Sequence, residues 1–258
     1  MIWKNIGKSV IGTSHSNTGK PCEDALAFSI ITDSVGEEVL VAIVSDGAGS
    51  ANKAKEASEL VTKKAIELFT EFIETDKSIN EAAILALVET IYDELMQLAT
   101  LAEESLSEYS CTFLGAVIYQ SSAVFFQIGD GAIIRDDGND CFSTIWWPHN
   151  GEYVNTTSFI TDDNNFANLK ITIISETINE IAILTDGLQH LSLNNETSTV
   201  YQPFFTGLFK WLRYANKAEE VEILNNKLEE YLCSEAINSR TDDDKTLFLA
   251  TRIHKWLT

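Results

Sequence analysis

Val41-Ala42-Ile43-Val44-Ser45-Asp46-Gly47 is the stretch that decides how this chain is built. An apolar, largely β-branched run stops at Asp-Gly, which reads as a core strand breaking into a tight turn. The pattern returns twice, where Val124-Phe125-Phe126-Gln127-Ile128-Gly129 runs into Asp130-Gly131 and Ile181-Ala182-Ile183-Leu184-Thr185 runs into Asp186-Gly187. Two more acidic clusters stand just before apolar runs: Glu23-Asp24 before Ala25-Leu26-Ala27-Phe28, and Asp242-Asp243-Asp244 shortly before Leu247-Phe248-Leu249-Ala250. A lone Asp-Gly is ordinarily only a turn. Carboxylates at the ends of core strands, however, are held rigidly and still reach the surface. Crowding them is costly without a cation, because like charges raise one another's pKa. The pattern therefore points to a divalent metal with oxygen ligands.

Working outward, Ser9 to Thr13, Ala25 to Thr32 and Val39 to Ser45 read as strands. Beyond Asp46 the period changes. Ala54, Ala57, Val61, Ala65, Leu68 and Phe72 recur at helical spacing between Ala51 and Glu74, with Ser50 as the expected cap. A second helix is expected from Ile79 to Leu101, short-linked to the first and antiparallel to it. Strands follow at Ser110 to Tyr119, Ala123 to Ile128 and Ala132 to Arg135. An irregular segment, 136–168, comes next, and strands resume at Leu169 to Ile174 and Glu180 to Thr185. Helices at Gln202 to Tyr214 and Ala218 to Glu235 precede a last strand, Thr246 to Arg252. This order excludes a regular βαβ parallel sheet. It fits an α+β fold, a four-layer α-β-β-α sandwich of two mostly antiparallel sheets flanked by helical pairs.

The 258 residues suffice for one large domain, expected to span 1–258. With 39 acidic against 18 basic residues, the net charge of −21 repels nucleic acid and anionic membrane surfaces, and neither is an expected partner. The four cysteines are scattered without a C-x-x-C pair, as in a reduced cytosolic protein. No basic segment followed by an apolar core opens the chain, and no run approaches the ~18 apolar residues of a membrane span, so a cytoplasmic protein is expected.

Cys22-Glu23-Asp24-Ala25, Ser45-Asp46-Gly47-Ala48-Gly49-Ser50, Ile128-Gly129-Asp130-Gly131, Leu184-Thr185-Asp186-Gly187-Leu188 and Asp243-Asp244-Lys245-Thr246 occur in the order and approximate spacing of the motifs of type-2C metal-dependent protein Ser/Thr phosphatases. The chain resembles that family from about Gly12 to Ile253, and Gly151 to Thr161 looks like a bacterial subgroup of it. The resemblance implies the α-β-β-α sandwich and a centre of two Mg²⁺ or Mn²⁺ ions that share and activate a water, with a weaker third ion. Carried over, Asp46 resembles the carboxylate bridging both metals. Asp186 and Asp243 resemble the remaining ligands of the first metal, and Glu23 and the Gly47 carbonyl those of the second. Asp24 aligns with the adjacent supporting acid, and Asp130 with an acid that joins Asp186 around the third ion. Asp46, Asp186 and Asp243 would thus form the catalytic set. The implied partners are a phosphorylated protein substrate and a Ser/Thr kinase.

Two positions depart from that pattern. Many members carry an arginine four residues before the Glu23 position to grip the substrate phosphate, and here Gly19 stands there. Lys20 and His15 are the candidate substitutes, although lysine offers a point charge in place of a bidentate fork. Some members place a histidine where Ala48 stands. Two further features have two readings each. Trp146-Trp147-Pro148-His149 is either part of a substrate flap within 136–168 or packing. His190, soon after Asp186, is either near the site or a surface histidine at a helix start. Loss of the phosphate grip at Gly19 leaves open a catalytically weak regulatory or phosphoprotein-binding module.

Overall fold

The computed structural model describes residues 3–138, 141–148 and 157–253. Its strands are β1 (Lys4–Val10), β2 (Ala25–Thr32), β3 (Glu38–Ser45), β4 (Phe113–Ile118), β5 (Ala123–Ile128), β6 (Ala132–Asp136), β7 (Phe142–Thr144), β8 (Lys170–Ile174), β9 (Glu180–Leu184), β10 (Leu193–Asn194), β11 (Thr199–Val200) and β12 (Lys245–Thr251). The helices are α1 (Thr13–Thr18), α2 (Ala54–Glu74), α3 (Glu81–Ala102), α4 (Asn165–Asn168), α5 (Gln189–Ser192), α6 (Gln202–Tyr214), α7 (Ala218–Leu232) and α8 (Glu235–Asn238).

Two five-stranded sheets form, in the orders β1-β12-β9-β6-β7 and β2-β3-β4-β5-β8, with every pairing antiparallel. Alternation along the central strands explains why three apolar layers can form. Leu40, Ala42 and Val44 of β3 meet Ile181 and Ile183 of β9 and Phe248 and Ala250 of β12 between the sheets. The other face of β3, Val41 and Ile43, packs on Ala57, Val61, Ala65 and Phe69 of α2 and on Leu87 and Ile91 of α3. The other face of β12, Leu247 and Leu249, packs on Phe205, Phe209 and Leu212 of α6 and Leu228 and Leu232 of α7. The result is the expected α-β-β-α order.

The N-terminal expectation needs correction. The strand read at Ser9 to Thr13 lies earlier, at Lys4–Val10, and Thr13–Thr18 is helical. A lysine at the start of a strand hid it. Lys4 is buried, with Nζ donating to the carbonyls of Arg213 and Ala215 at the end of α6 (2.6 and 3.0 Å), a stabilisation supplied only by tertiary structure. Ser50 is not the cap of α2, which starts at Ala54 after Lys53 without a side-chain cap. Asn80 does cap α3, its Oδ1 accepting from the Ala83 N–H at 3.0 Å.

Register places the acidic ends together. The start of β2 lies beside the end of β3 (Ala25 opposite Ser45), and the start of β4 pairs with the ends of β3 and β5. In the second sheet Leu184, ending β9, faces both Ala132 at the start of β6 and Leu247 near the start of β12. Glu23, Asp24, Asp46, Asp130, Asp186 and Asp243 therefore all emerge at one end of the sandwich.

Candidate active site

At that end each acid is placed by backbone bonding specific to its strand. The Asp46 N–H donates to Thr112 Oγ1 and its carbonyl accepts from the Thr112 N–H, both at 2.8 Å, so β4 fixes the turn after β3. Gly47 N–H bonds the Glu23 carbonyl at 3.2 Å, joining the second acidic pair to the first. Asp130 lies in the β5–β6 turn, where Gln127 Nε2 donates to the carbonyls of Gly129 and Gly131 (both 3.0 Å) and Gln189 Nε2 donates to the Asp130 carbonyl. Thr157 Oγ1 donates to the Asp130 carboxylate.

Asp24 and Asp244 are both buried. Asp24 Oδ2 accepts from Thr185 Oγ1 (2.9 Å) and Thr246 Oγ1 (2.8 Å), which bind it to β9 and β12 at once. Asp244, which the sequence reading passed over in favour of Asp243, collects three donors: Gly12 N–H and Glu23 N–H at 2.6 Å each, and His15 Nδ1 at 2.9 Å. It is a clamp joining β12, α1 and the start of β2. Its signal in the sequence was the strand alternation itself, which turns Asp244 and Thr246 to the same side. Gly187 and Gly12 permit this closeness, since a Cβ on either would stand 2.1 or 2.2 Å from the Asp244 carbonyl oxygen or the Asp243 carbonyl carbon.

The carboxyls perturb one another strongly. Burial, then the charges of Asp24 and Asp186, hold the Asp46 carboxyl well above the usual range, and it hydrogen-bonds Asp186 directly. Burial and Asp130 push Asp186 up to about 6. Burial pushes Asp24 up to about 8, and Asp243 is also raised, by burial and by Asp244. One oxygen on each of Glu23, Asp24 and Asp186 is buried with no hydrogen-bond partner. Oxygens desolvated in this way suit a hard cation. Among the described residues, no three His, Cys, Asp or Glu side chains already stand as a finished coordination group.

Both candidate phosphate-binding residues lie against Glu23. Lys20 Nζ is 3.4 Å from Glu23 Oε1 and donates to the Gly49 carbonyl at 2.9 Å. His15 Nε2 is 3.5 Å from Glu23 Oε2. Trp146 packs at the edge of the inter-sheet core and Trp147 against the α6–α7 core. Much of the flap region, including His149 and 151–156, falls outside the described residues. The described part reaches the site, since Phe159 packs on Ala48, Ala51 and Ala54, and the Ile160 N–H bonds the Cys111 carbonyl at 2.9 Å.

The protein phosphatase 2C family model matches residues 11–233. The chain belongs to the protein phosphatase 2C family. Serine/threonine-protein phosphatase 3 of Escherichia coli (strain K12) is 34% identical over 251 residues, 97% of this chain and 98% of that one. The S. agalactiae serine/threonine phosphatase shares the fold at a TM-score of 0.62 and 15% identity, with 98% of this chain and 100% of that chain covered. RsbX, solved in complex with magnesium, does so at 0.56 and 13%, covering 96% and 94%. This member of the protein phosphatase 2C family holds Lys20 and His15 against Glu23, at 3.4 and 3.5 Å.

Proposed function

We propose that the protein is a metal-dependent phosphatase that hydrolyses phosphoserine and phosphothreonine in proteins, formed as one domain over 1–258. The observation that carries the reading is the cluster of Asp46, Asp186 and Asp24, desolvated together at the end of the sandwich, with one buried oxygen on each of Asp24 and Asp186 left without a hydrogen-bond partner among the described residues. Asp46, Asp186 and Asp243 would hold one Mg²⁺ or Mn²⁺ ion, Asp46, Glu23 and the Gly47 carbonyl a second, and Asp130 with Asp186 a weaker third. Such ions, when bound, lower the pKa of water and neutralise charge on the phosphoryl oxygens. The chain's own part is positioning. Thr112 fixes Asp46, Asp244 fixes the backbone of Glu23, and Thr185 and Thr246 orient Asp24. Lys20 and His15, which stand beside Glu23, are our candidates for gripping the substrate phosphate. Within 136–168, where Phe142–Thr144 instead forms β7, the described residues from Thr157 onward serve as a flap beside Asp130, Thr157 Oγ1 donating to its carboxylate. Among the described residues no helix is long and apolar enough to cross a membrane. We place the protein in the cytoplasm, opposing a Ser/Thr kinase.

Purified protein should hydrolyse p-nitrophenyl phosphate and a phosphothreonine peptide only with Mn²⁺ or Mg²⁺. Asp46→Asn should lower kcat by several powers of ten across a Mn²⁺ titration while keeping the fold by circular dichroism, because it removes a shared ligand yet relieves carboxylate crowding. Near wild-type turnover by Asp46→Asn at saturating Mn²⁺ would defeat the proposal. Phosphopeptide binding without turnover by the wild type would favour the regulatory-module reading, which Gly19 supports.

A further inference from the structure

A polar pocket of about 480 Å³ is lined by His190, Asn194, Asn195, Glu196, Tyr201 and Arg240. Its walls are tied to the centre. His190 lies on α5, which directly follows the Asp186–Leu188 turn, and Arg240 stands three residues before Asp243. None of Asp46, Asp186 or Asp243 lines it. A group held there would therefore lie outside the carboxylate cluster yet rest on the same two segments that carry Asp186 and Asp243.

The arginines single the pocket out. The chain has four. Arg135 pairs with Glu176 at 2.8 Å, and Arg213 is engaged by buried Glu180. Arg252 is buried, donates to the carbonyls of Tyr119 and Gln120, and lies 5.0 Å over the Trp3 ring. Arg240 is exposed and makes no ion pair among the described residues. Its backbone is anchored, with its N–H bonding the Ile237 carbonyl at 2.9 Å. The facing wall is likewise fixed, because Asn194 Oδ1 accepts from Glu196 N–H (3.1 Å) and Tyr201 N–H bonds the Ser192 carbonyl (2.8 Å).

We propose that this pocket binds a carboxylate side chain flanking the phosphorylated residue of the substrate, with Arg240 as its principal contact and His190 and the Asn194 and Asn195 amides around it. The inference rests on the phosphatase reading above. A guanidinium fork matches a carboxylate in planar, bidentate fashion. On a surface carrying a net charge of −21, an acidic phosphopeptide is otherwise repelled, so an arginine that makes no ion pair among the described residues confers local selectivity. Glu196 on the same rim opposes an acidic ligand and sets an upper limit on that preference.

The test compares a phosphothreonine peptide flanked by aspartates, its asparagine twin, and p-nitrophenyl phosphate. Arg240→Ala should cost about fivefold in kcat/KM on the aspartate peptide, through KM, and leave the other two substrates unchanged. Arg240→Lys should lose less, and Glu196→Gln should improve the aspartate peptide. The gap between the peptides should narrow in 0.5 M salt, where the Debye length is only a few ångströms. Equal losses on both peptides, a loss on p-nitrophenyl phosphate, or no change at all would overturn the proposal. Absence of metal-dependent p-nitrophenyl phosphate hydrolysis by the wild type would instead sink the phosphatase reading. Fluorescence-anisotropy binding of the two peptides to wild type and Arg240→Ala then reads the pocket without turnover, and equal affinities would refute it.

Discussion

Asp24 shows how a single carboxyl couples the site to stability. It is buried, bonded to two threonine hydroxyls through one oxygen, and raised to about 8. An ordinary aspartate titrates near 3.9. Between those values the folded state holds a proton that the unfolded chain has released, so stability falls as pH rises. Asp186, raised to about 6, adds to the same trend over the lower part of the window. In chelator, the melting temperature of the wild type should drop steadily from pH 5 to pH 8. Asp24→Asn should flatten much of that slope, and saturating Mn²⁺ should remove it, because cation binding displaces the protons and stabilises only the folded state. A melting temperature independent of pH in chelator would show that these carboxyls are not desolvated as described. The role of Asp24 was legible from Glu23-Asp24 preceding an apolar run. Its hydroxyl partners, 161 and 222 residues away, were not, because nothing local in a sequence reports such pairs.

Short elements decide the site's geometry while long ones decide the fold. The segment leading into β12 is gripped from two sides, by Gly12 before α1 and by Gly187 in the turn after β9. Gly187→Ala would put a Cβ 2.1 Å from the Asp244 carbonyl oxygen, which backbone cannot yield without moving Asp243 and Asp244. We expect a loss of about 1–3 kcal/mol in urea unfolding, typical of overpacking. Mn²⁺ affinity by calorimetry should fall at least tenfold. An unchanged Mn²⁺ affinity in a destabilised protein would mean that Asp243 takes no part in metal binding. The long amphipathic helices α2, α3, α6 and α7 were legible from their spacing, as were the strands preceding Asp46, Asp130 and Asp186. α1 was not, since its six residues Thr13–Thr18 bury no side chain and carry no apolar stripe. Yet α1 supplies His15, which Asp244 holds against Glu23.

The whole molecule depends on the apolar layer between its sheets, since that layer holds the five acidic segments at one end. Phe248 is fully buried in it, its ring centroid 5.1 Å from that of Phe28 across the two sheets. Phe248→Ala should destabilise the protein by about 3–5 kcal/mol in denaturant titration. A cost below 1 kcal/mol would mean that the sheets do not pack through this residue. The sequence by itself determined the long helices and the strands that lead into Asp46, Asp130 and Asp186, and that acids stand at the strand ends, because these are local patterns with periods of two and 3.6 residues. It also carried, through the order of five short motifs, the family to which the chain belongs. Only the tertiary structure decided which acids are desolvated, that Asp244 is the clamp, that Lys4 lies inside, and that Arg240 makes no ion pair among the described residues. Those outcomes depend on antiparallel register and on contacts between distant segments, where the energy of a charge is set by neighbours that no window of sequence contains.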